Sequence, residues 1–320
     1  MTGRLVLLVV ALGVALAAAE AGTRWADPNW TIFDPPICWR PDLFEQVPWG
    51  YRLWPSRTLG HDYPHENPRH LTLDSNADGF RSRRDFRAPD PRPRIVVLGD
   101  SMVFGEGVEE SERFTELLEA MEPAWRVDNV GMVGYGPDLM LRALEAVGLE
   151  PPPAVVVLAI YTDDLRRVVG PYSGVGFEIP RFALDGDRLV TVPYRRLHLW
   201  ERSRFVQGLL YLWWRYTPVT FPLNGAILDR FRELAASHRF TPAIVFLPAA
   251  RDRWDDRQRR AWLAEYAARN GVAYLDLTDA IARAGGERLY IPHDSHWSPD
   301  GHRAVAEELR GFLARAVPAS

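Results

Sequence analysis

The sequence predicts a doubly wound α/β sandwich of about five parallel strands, and three observations carry that expectation. Short apolar runs recur at 95–98, 154–160, 243–247 and 272–275, with a further short strand candidate at 126–130 that ends in a glycine-rich turn. Segments with helical periodicity lie among them, at 114–121, 139–147, 255–269 and 300–314. The strand candidates, clearest at 154–160, read as unbroken apolar runs without alternation, which is the pattern of strands covered on both faces in a parallel sheet.

Composition sets the limits around that core. With 320 residues, 47% hydrophobic and 25% charged, the chain can bury one full-sized core and a modest extra module. A formal net charge of -4 and a pI near 6.1 lack the clustered positive charge that nucleic acid demands, so no DNA or RNA partner is assigned. All 38 basic residues are arginine.

From the N-terminus, Arg4 precedes an apolar run, Leu5 to Ala19, followed by small residues that offer cleavage after Ala19 or Ala21. Residues 1–21 therefore read as a secretory signal peptide or as a retained anchor, which implies export to the periplasm or medium and membrane association through the N-terminus. The single cysteine, Cys38, excludes an intrachain disulfide and reads as a partly buried free thiol. Residues 22–93 are dense in Pro and Trp and read as an irregular extension packed on the main domain. Within them 70–73 suggests a short strand that turns at Asn76, Asp78 and Gly79.

The main domain spans 94–320. Its rhythm breaks at about 165–222, a Gly-, Pro- and aromatic-rich insertion containing LLYLWWRY at 209–216. Three readings stay open for it: a lid over the binding crevice, a helix covering an apolar edge, or a segment at a membrane interface, where Trp and Tyr are enriched.

Chemistry enters where the first apolar run ends, at Gly99-Asp100-Ser101. The carboxyl end of such a strand opens into the crevice where ligands bind in open α/β sheets. A serine there needs a neighbouring base to accept its proton. The segment Pro292-His293-Asp294-Ser295-His296-Trp297 supplies one. Residues two apart in an extended segment project to one side, so Asp294 can orient His296 toward Ser101. A metal site at His293, Asp294 and His296 is the competing reading of the same residues.

These blocks resemble the SGNH/GDSL hydrolase family over roughly residues 94–315. Ile95 to Ser101, followed by Met102 to Val108, is similar to the family's first block, and Asn129 to Gly136 to its second. Tyr161-Thr162-Asp163-Asp164 occupies the place of the third, and Asp294 with His296 that of the last. The resemblance implies a flavodoxin-like three-layer α/β/α fold with Ser101 as nucleophile and Asp294 and His296 completing the catalytic set. It also implies an oxyanion hole from the N–H groups of Ser101 and Gly134, with no metal or other cofactor. The third block normally adds an Asn side chain, and Asp163 stands there instead. An ionised Asp163 cannot donate, so either it is protonated or the hole is completed elsewhere. A further reading has Asp163 and Asp164 simply capping the next segment.

The Asp-x-His-Trp form of the last block resembles exported proteins of the alginate O-acetyltransferase type. The expected activity is serine-dependent ester hydrolysis, lipase-like or deacetylating, on a small-molecule or carbohydrate ester. The alternatives are O-acetyl transfer to envelope or exopolysaccharide sugars and an inactive carbohydrate-binding module. Of the remaining polar residues, Glu106 and Glu109 read as solvated charge, Arg166 and Arg167 as a solvated pair or an anion site, and His198, His238 and His302 as structural or solvated.

Overall fold

The computed structural model describes residues 2–27, 31–32, 41–63, 69–169, 175–251 and 254–317. Cys38 lies outside them. In chain order the elements begin with helix α1 (Thr2–Ala26) and strands β1 (Phe44–Val47), β2 (Gly50–Leu53), β3 (Thr58–Tyr63) and β4 (Arg69–Asp74). There follow β5 (Arg94–Gly99), α2 (Ser101–Phe104), α3 (Phe114–Met121), β6 (Arg126–Gly131), α4 (Pro137–Ala143), β7 (Val155–Tyr161) and α5 (Asp164–Arg167). The insertion contributes β8 (Arg181–Asp185), β9 (Arg188–Val192) and α6 (Arg204–Tyr216). The chain closes with α7 (Phe221–His238), β10 (Thr241–Leu247), α8 (Trp254–Asn270), β11 (Ala273–Asp276), α9 (Thr278–Ala284) and α10 (Pro299–Leu313).

Five strands form one parallel sheet in the order β11-β10-β7-β5-β6, so the expected fold class is the observed one. Alternate residues of each strand enter opposite layers, as the two-residue period of a strand requires. Ile95, Val97, Val157 and Val245 pack against Phe114 and Leu118 of α3 and Val305 and Leu309 of α10. Val96, Leu98, Leu158 and Phe246 pack against the layer built on Leu139 of α4, Ile227 and Phe231 of α7, and Leu263 of α8. Strand order reverses between β5 and β7, which opens a crevice at the carboxyl ends of those two strands.

The segment before the sheet departs from the irregular reading. It holds two antiparallel hairpins, β1–β2 and β3–β4, and Phe44, Tyr51, Leu53, Leu71, Leu73 and Phe80 on them or just after are buried. Most of these join the α4/α7 layer, and each fully buried side chain of this size stabilises the fold by about 2 kcal/mol. The strands are four to six residues long and mix polar with apolar positions, which is why Pro and Trp density masked them. The 70–73 strand is present within β4, and Asn76 builds the expected turn by accepting from the N–H groups of Asp78 and Phe80.

Candidate active site

Ser101 begins α2 directly beyond β5. The Asp100 carboxylate caps this one-turn helix, accepting from Met102 N–H at 2.9 Å. Gly105 ends it in the left-handed region at φ 78°, a conformation that favours glycine, and the chain folds back so that Glu106 N–H donates to the Ser101 carbonyl at 3.1 Å. Two buried arginines hold the folded loop. Arg81 donates to the carbonyls of Gly105 and Val108, both at 2.7 Å, and Arg113 donates to that of Phe104 at 3.3 Å.

Asp294 and His296 do not sit in an extended segment, as the sequence reading supposed. Tyr290 and Trp297 pair as the base of a small hairpin, Ile291 N–H donates to the His296 carbonyl at 2.9 Å, and Asp294 N–H closes a turn onto the Ile291 carbonyl at 3.0 Å. Exposed His293 occupies the tip at φ 60°. Asp294 Oδ1 then lies 2.8 Å from His296 Nδ1, and His296 Nε2 lies 2.8 Å from Ser101 Oγ. Trp297 is fully buried against Phe114, Tyr290 and His302, so it anchors the hairpin and faces no substrate. His302 is buried too, stacked on Phe114 and accepting its N–H.

Two residues that sequence reasoning missed complete this constellation. Glu106, read as solvated, is buried with Oε2 3.3 Å from His296 Nε2. Burial works against the imidazolium, but Glu106 and then Asp294 outweigh it and raise the His296 pKa to about 9. Tyr63, at the end of β3, donates its hydroxyl to Asp294 Oδ2 and lies 3.3 Å from His296 Nδ1. Tyr63 had one weak signal: it shares the inward face of β3 with His61, two residues before it.

The second block forms a loop after β6. Asn129 is structural, donating to the Val103 carbonyl at 2.7 Å and accepting from Gly131 N–H. Gly134 has φ 76°, and its neighbours are pinned: Tyr51 donates to the Val133 carbonyl and Tyr135 to the Tyr51 carbonyl.

Asp163 is not an oxyanion donor. Burial opposes its charge, but Arg166 at 3.0 Å, with Arg167 and Arg259, prevails and holds its carboxyl far below the usual range. A carboxylate so held offers only acceptor oxygens. Its neighbour Asp164 behaves oppositely, because burial and nearby Asp100 push its carboxyl well above the ordinary range. Arg167 ties the two carboxyls together, donating to Asp100 Oδ2, Asp164 Oδ1 and the Tyr135 carbonyl. The arginine pair is thus internal, neither solvated nor an anion site. Glu109 is likewise engaged, accepting from Thr72 N–H of β4.

Among the described residues of the insertion, the apolar face of α6 turns away from the protein. Leu209, Leu212, Trp213 and Tyr216 of α6 are 43 to 52% exposed. A cleft of about 660 Å³ runs beside the hairpin, lined by Tyr161, Ala249, Arg251, Tyr290, Pro292 and Asp294 among others, and no described residue of 165–222 lines it.

The profile of the GDSL-like Lipase/Acylhydrolase family matches residues 97–304. No curated protein matches the sequence. Among solved structures, the chain is similar to a member of the lipolytic protein G-D-S-L family from Veillonella parvula DSM 2008. That pair shares 15% identity at a TM-score of 0.46, over 70% of this chain and 100% of the other. It is also similar to a psychrotrophic esterase from Pseudoalteromonas sp. inhibited by monoethylphosphonate, with 14% identity, a TM-score of 0.43, and 69% and 97% covered. An acetyl xylan esterase shows 15% identity and a TM-score of 0.45, with 69% and 99% covered.

Proposed function

The chain belongs to the GDSL-like lipase/acylhydrolase family, hydrolases that act on esters, and from that premise we propose that it works through an acyl-serine formed on Ser101. One observation carries the reading: a single imidazole bridges Ser101 Oγ and Asp294, at 2.8 Å on either side. In this mechanism His296 Nε2 takes the Ser101 proton as the oxygen attacks the ester carbonyl. The Ser101 and Gly134 N–H groups receive the oxyanion, and His296 returns the proton to the departing alcohol. Water, activated by the same imidazole, then releases the acid. Asp294 holds the Nδ1–H tautomer and Tyr63 steadies Asp294.

We assign the substrate to the ester class, with the cleft beside Asp294 as the place for its larger portion and O-acylated carbohydrate as the preferred candidate. A dry aromatic lid formed by 165–222 would favour transfer, and the Asp-x-His-Trp form of the last block is the feature that resembles transferases. No described residue of 165–222 lines the cleft beside the hairpin, which favours hydrolysis. The apolar N-terminal helix is consistent with a signal sequence or a membrane anchor, and we place the activity outside the cytoplasm.

The test is p-nitrophenyl acetate turnover by the full chain and by Ser101→Ala, with a phosphonate probe and with sugar acceptors. Serine-dependent release and labelling of Ser101 support the hydrolase. Release that rises with acetylated sugar appearing moves the assignment to transfer. Equal inertness of both proteins, with no labelling, refutes catalysis.

A further inference from the structure

Helix α6 is built inside out. Its buried positions include Gln207 and Arg215, with Trp214, whereas Leu209, Leu212, Trp213 and Tyr216 form one outward stripe at i, i+3, i+4 and i+7. A helix facing water places these classes the other way round. The polar groups inside are engaged by the protein: Gln207 donates to the Glu201 carbonyl and accepts from Ile32 N–H, and Arg215 donates to the Tyr211 hydroxyl and lies over the rings of Tyr211 and Tyr216. The outward stripe continues at both ends. Trp254 sits 5.9 Å from Tyr216, and Trp200 lies just before the helix, each more than half exposed.

The start of α6 is joined to the apolar helix α1. The Glu20 carboxylate caps α6 by accepting from the Arg204 and Phe205 N–H groups, at 3.1 and 3.0 Å, and from the Ser203 hydroxyl at 2.7 Å. Glu20 lies between the two cleavage positions the sequence offers, and α1 runs on unbroken to Ala26. Within Gly3–Ala26 an 18-residue window has a mean hydropathy of 2.3, and that window is not buried in the protein. At 1.5 Å per residue the helix reaches about 36 Å and its uncharged stretch Leu5–Ala19 about 22 Å, against a hydrocarbon core of about 30 Å. The span therefore requires Arg4 and Glu20 at the two interfaces and a locally thinned bilayer. Arg24, at the end of α1, donates to the Arg202 carbonyl, so exposed cations stand where α1 meets α6.

We propose that α1 remains on the mature chain as a bilayer span and that α6 lies with its Leu209–Tyr216 face on that same bilayer, at headgroup depth. Apolar side chains enter the acyl boundary, Trp and Tyr occupy the interface, and the arginines meet anionic phosphates. The inner face of α6 also reaches the crevice: Arg259 donates to the Arg215 carbonyl at 3.2 Å and to Thr162 Oγ1 at 3.3 Å, beside Asp163. The docked helix therefore holds the third block close to the lipid surface. This inference stands on packing and is independent of the chemistry assigned to Ser101.

The test uses the full chain carrying Cys38→Ser, with Leu212→Cys or, as a distant exposed control, Arg188→Cys, each labelled with the NBD fluorophore. The proteins are reconstituted in phosphatidylcholine/phosphatidylglycerol vesicles, and intact mass fixes the N-terminus of the mature chain. The expected result is a chain that retains α1, with blue-shifted emission at 212 and at least about twofold more quenching there than at 188 by lipids doxyl-labelled near the headgroup. A mature chain beginning after Ala19 or Ala21 overturns the proposal. So does a label at 212 as wet as that at 188, and so does one that is shielded but unquenched by lipid, which would place a protein on this face.

Discussion

Replacing Glu106 with Gln should make the enzyme faster at neutral pH. With the His296 pKa at about 9, only about 1% of the imidazole is neutral at pH 7 and able to accept the Ser101 proton. A full negative charge 3.3 Å away, at an effective dielectric constant of about 20, is worth about 5 kcal/mol, or nearly four pH units. That upper limit exceeds the whole rise from 6.5, so loss of the Glu106 charge suffices to return the pKa to about 7 even with Asp294 in place. The neutral fraction at pH 7 then becomes about one half, and kcat/KM should rise by up to about 50-fold. The sign follows from the base having to be unprotonated: activity climbs as pH rises through the pKa, so the acid limb moves downward in the variant. The assay is the pH dependence of kcat/KM for p-nitrophenyl acetate between pH 5 and about 10, with Ser101→Ala as blank. An acid limb that stays near 9, or a rate at pH 7 that falls, refutes the reasoning.

Asp294→Asn should cost about 10³- to 10⁴-fold in kcat, because an amide cannot hold the imidazole in the required tautomer, and steady-state kinetics will show it. Tyr63→Phe removes one hydrogen bond to a carboxylate, so kcat should drop about tenfold with KM unchanged; a change confined to KM would place Tyr63 in substrate binding instead. His302 tests the acid side of stability. Burial, with Arg113 and Arg81 nearby, lowers its pKa to about 3, so the folded state keeps it neutral where the unfolded chain protonates it near 6.5. The stability it contributes is present above 6.5 and is lost as pH falls toward 3, about 2 kcal/mol of it between pH 7 and 5. His302→Asn, which keeps an acceptor for Phe114 N–H, should flatten the decline in urea midpoint over that interval.

The parallel sheet was legible because its strands are buried on both faces and announce themselves as apolar runs, each followed by a change of period. The juxtaposition of Ser101, Asp294 and His296 was legible for a related reason: each lies in a short block beside a recognisable element. Glu106 was not, since one turn of helix and a left-handed Gly105 are needed to bring it back onto the base. The carboxyls of Asp163 and Asp164, adjacent in sequence, are pushed in opposite directions: Asp164 upward by burial and Asp100, Asp163 downward by Arg166, Arg167 and Arg259. None of these neighbours can be read from the adjacency. Nor could a linear reading find Tyr63, whose strand is six residues long with only its inward positions buried, and whose partner is 231 residues away. The extended geometry assumed for Asp294 and His296 reached the right juxtaposition by the wrong backbone, because the turn at Ile291–Asp294 leaves no periodic trace.

The tie between Tyr63 and Asp294, with Ser101 and His296 themselves 195 residues apart, has a bearing on how the molecule comes into being. In the mechanism proposed above, the nucleophile leaves the ribosome early, and the segment that activates it is among the last to emerge. Throughout synthesis and passage through any export machinery the serine hydroxyl is an ordinary alcohol, harmless to acyl esters it meets. On that mechanism activity arrives only when residues 63 and 101 meet the segment at 294–296 across the carboxyl edge of the sheet, so a product truncated before that segment should be chemically silent.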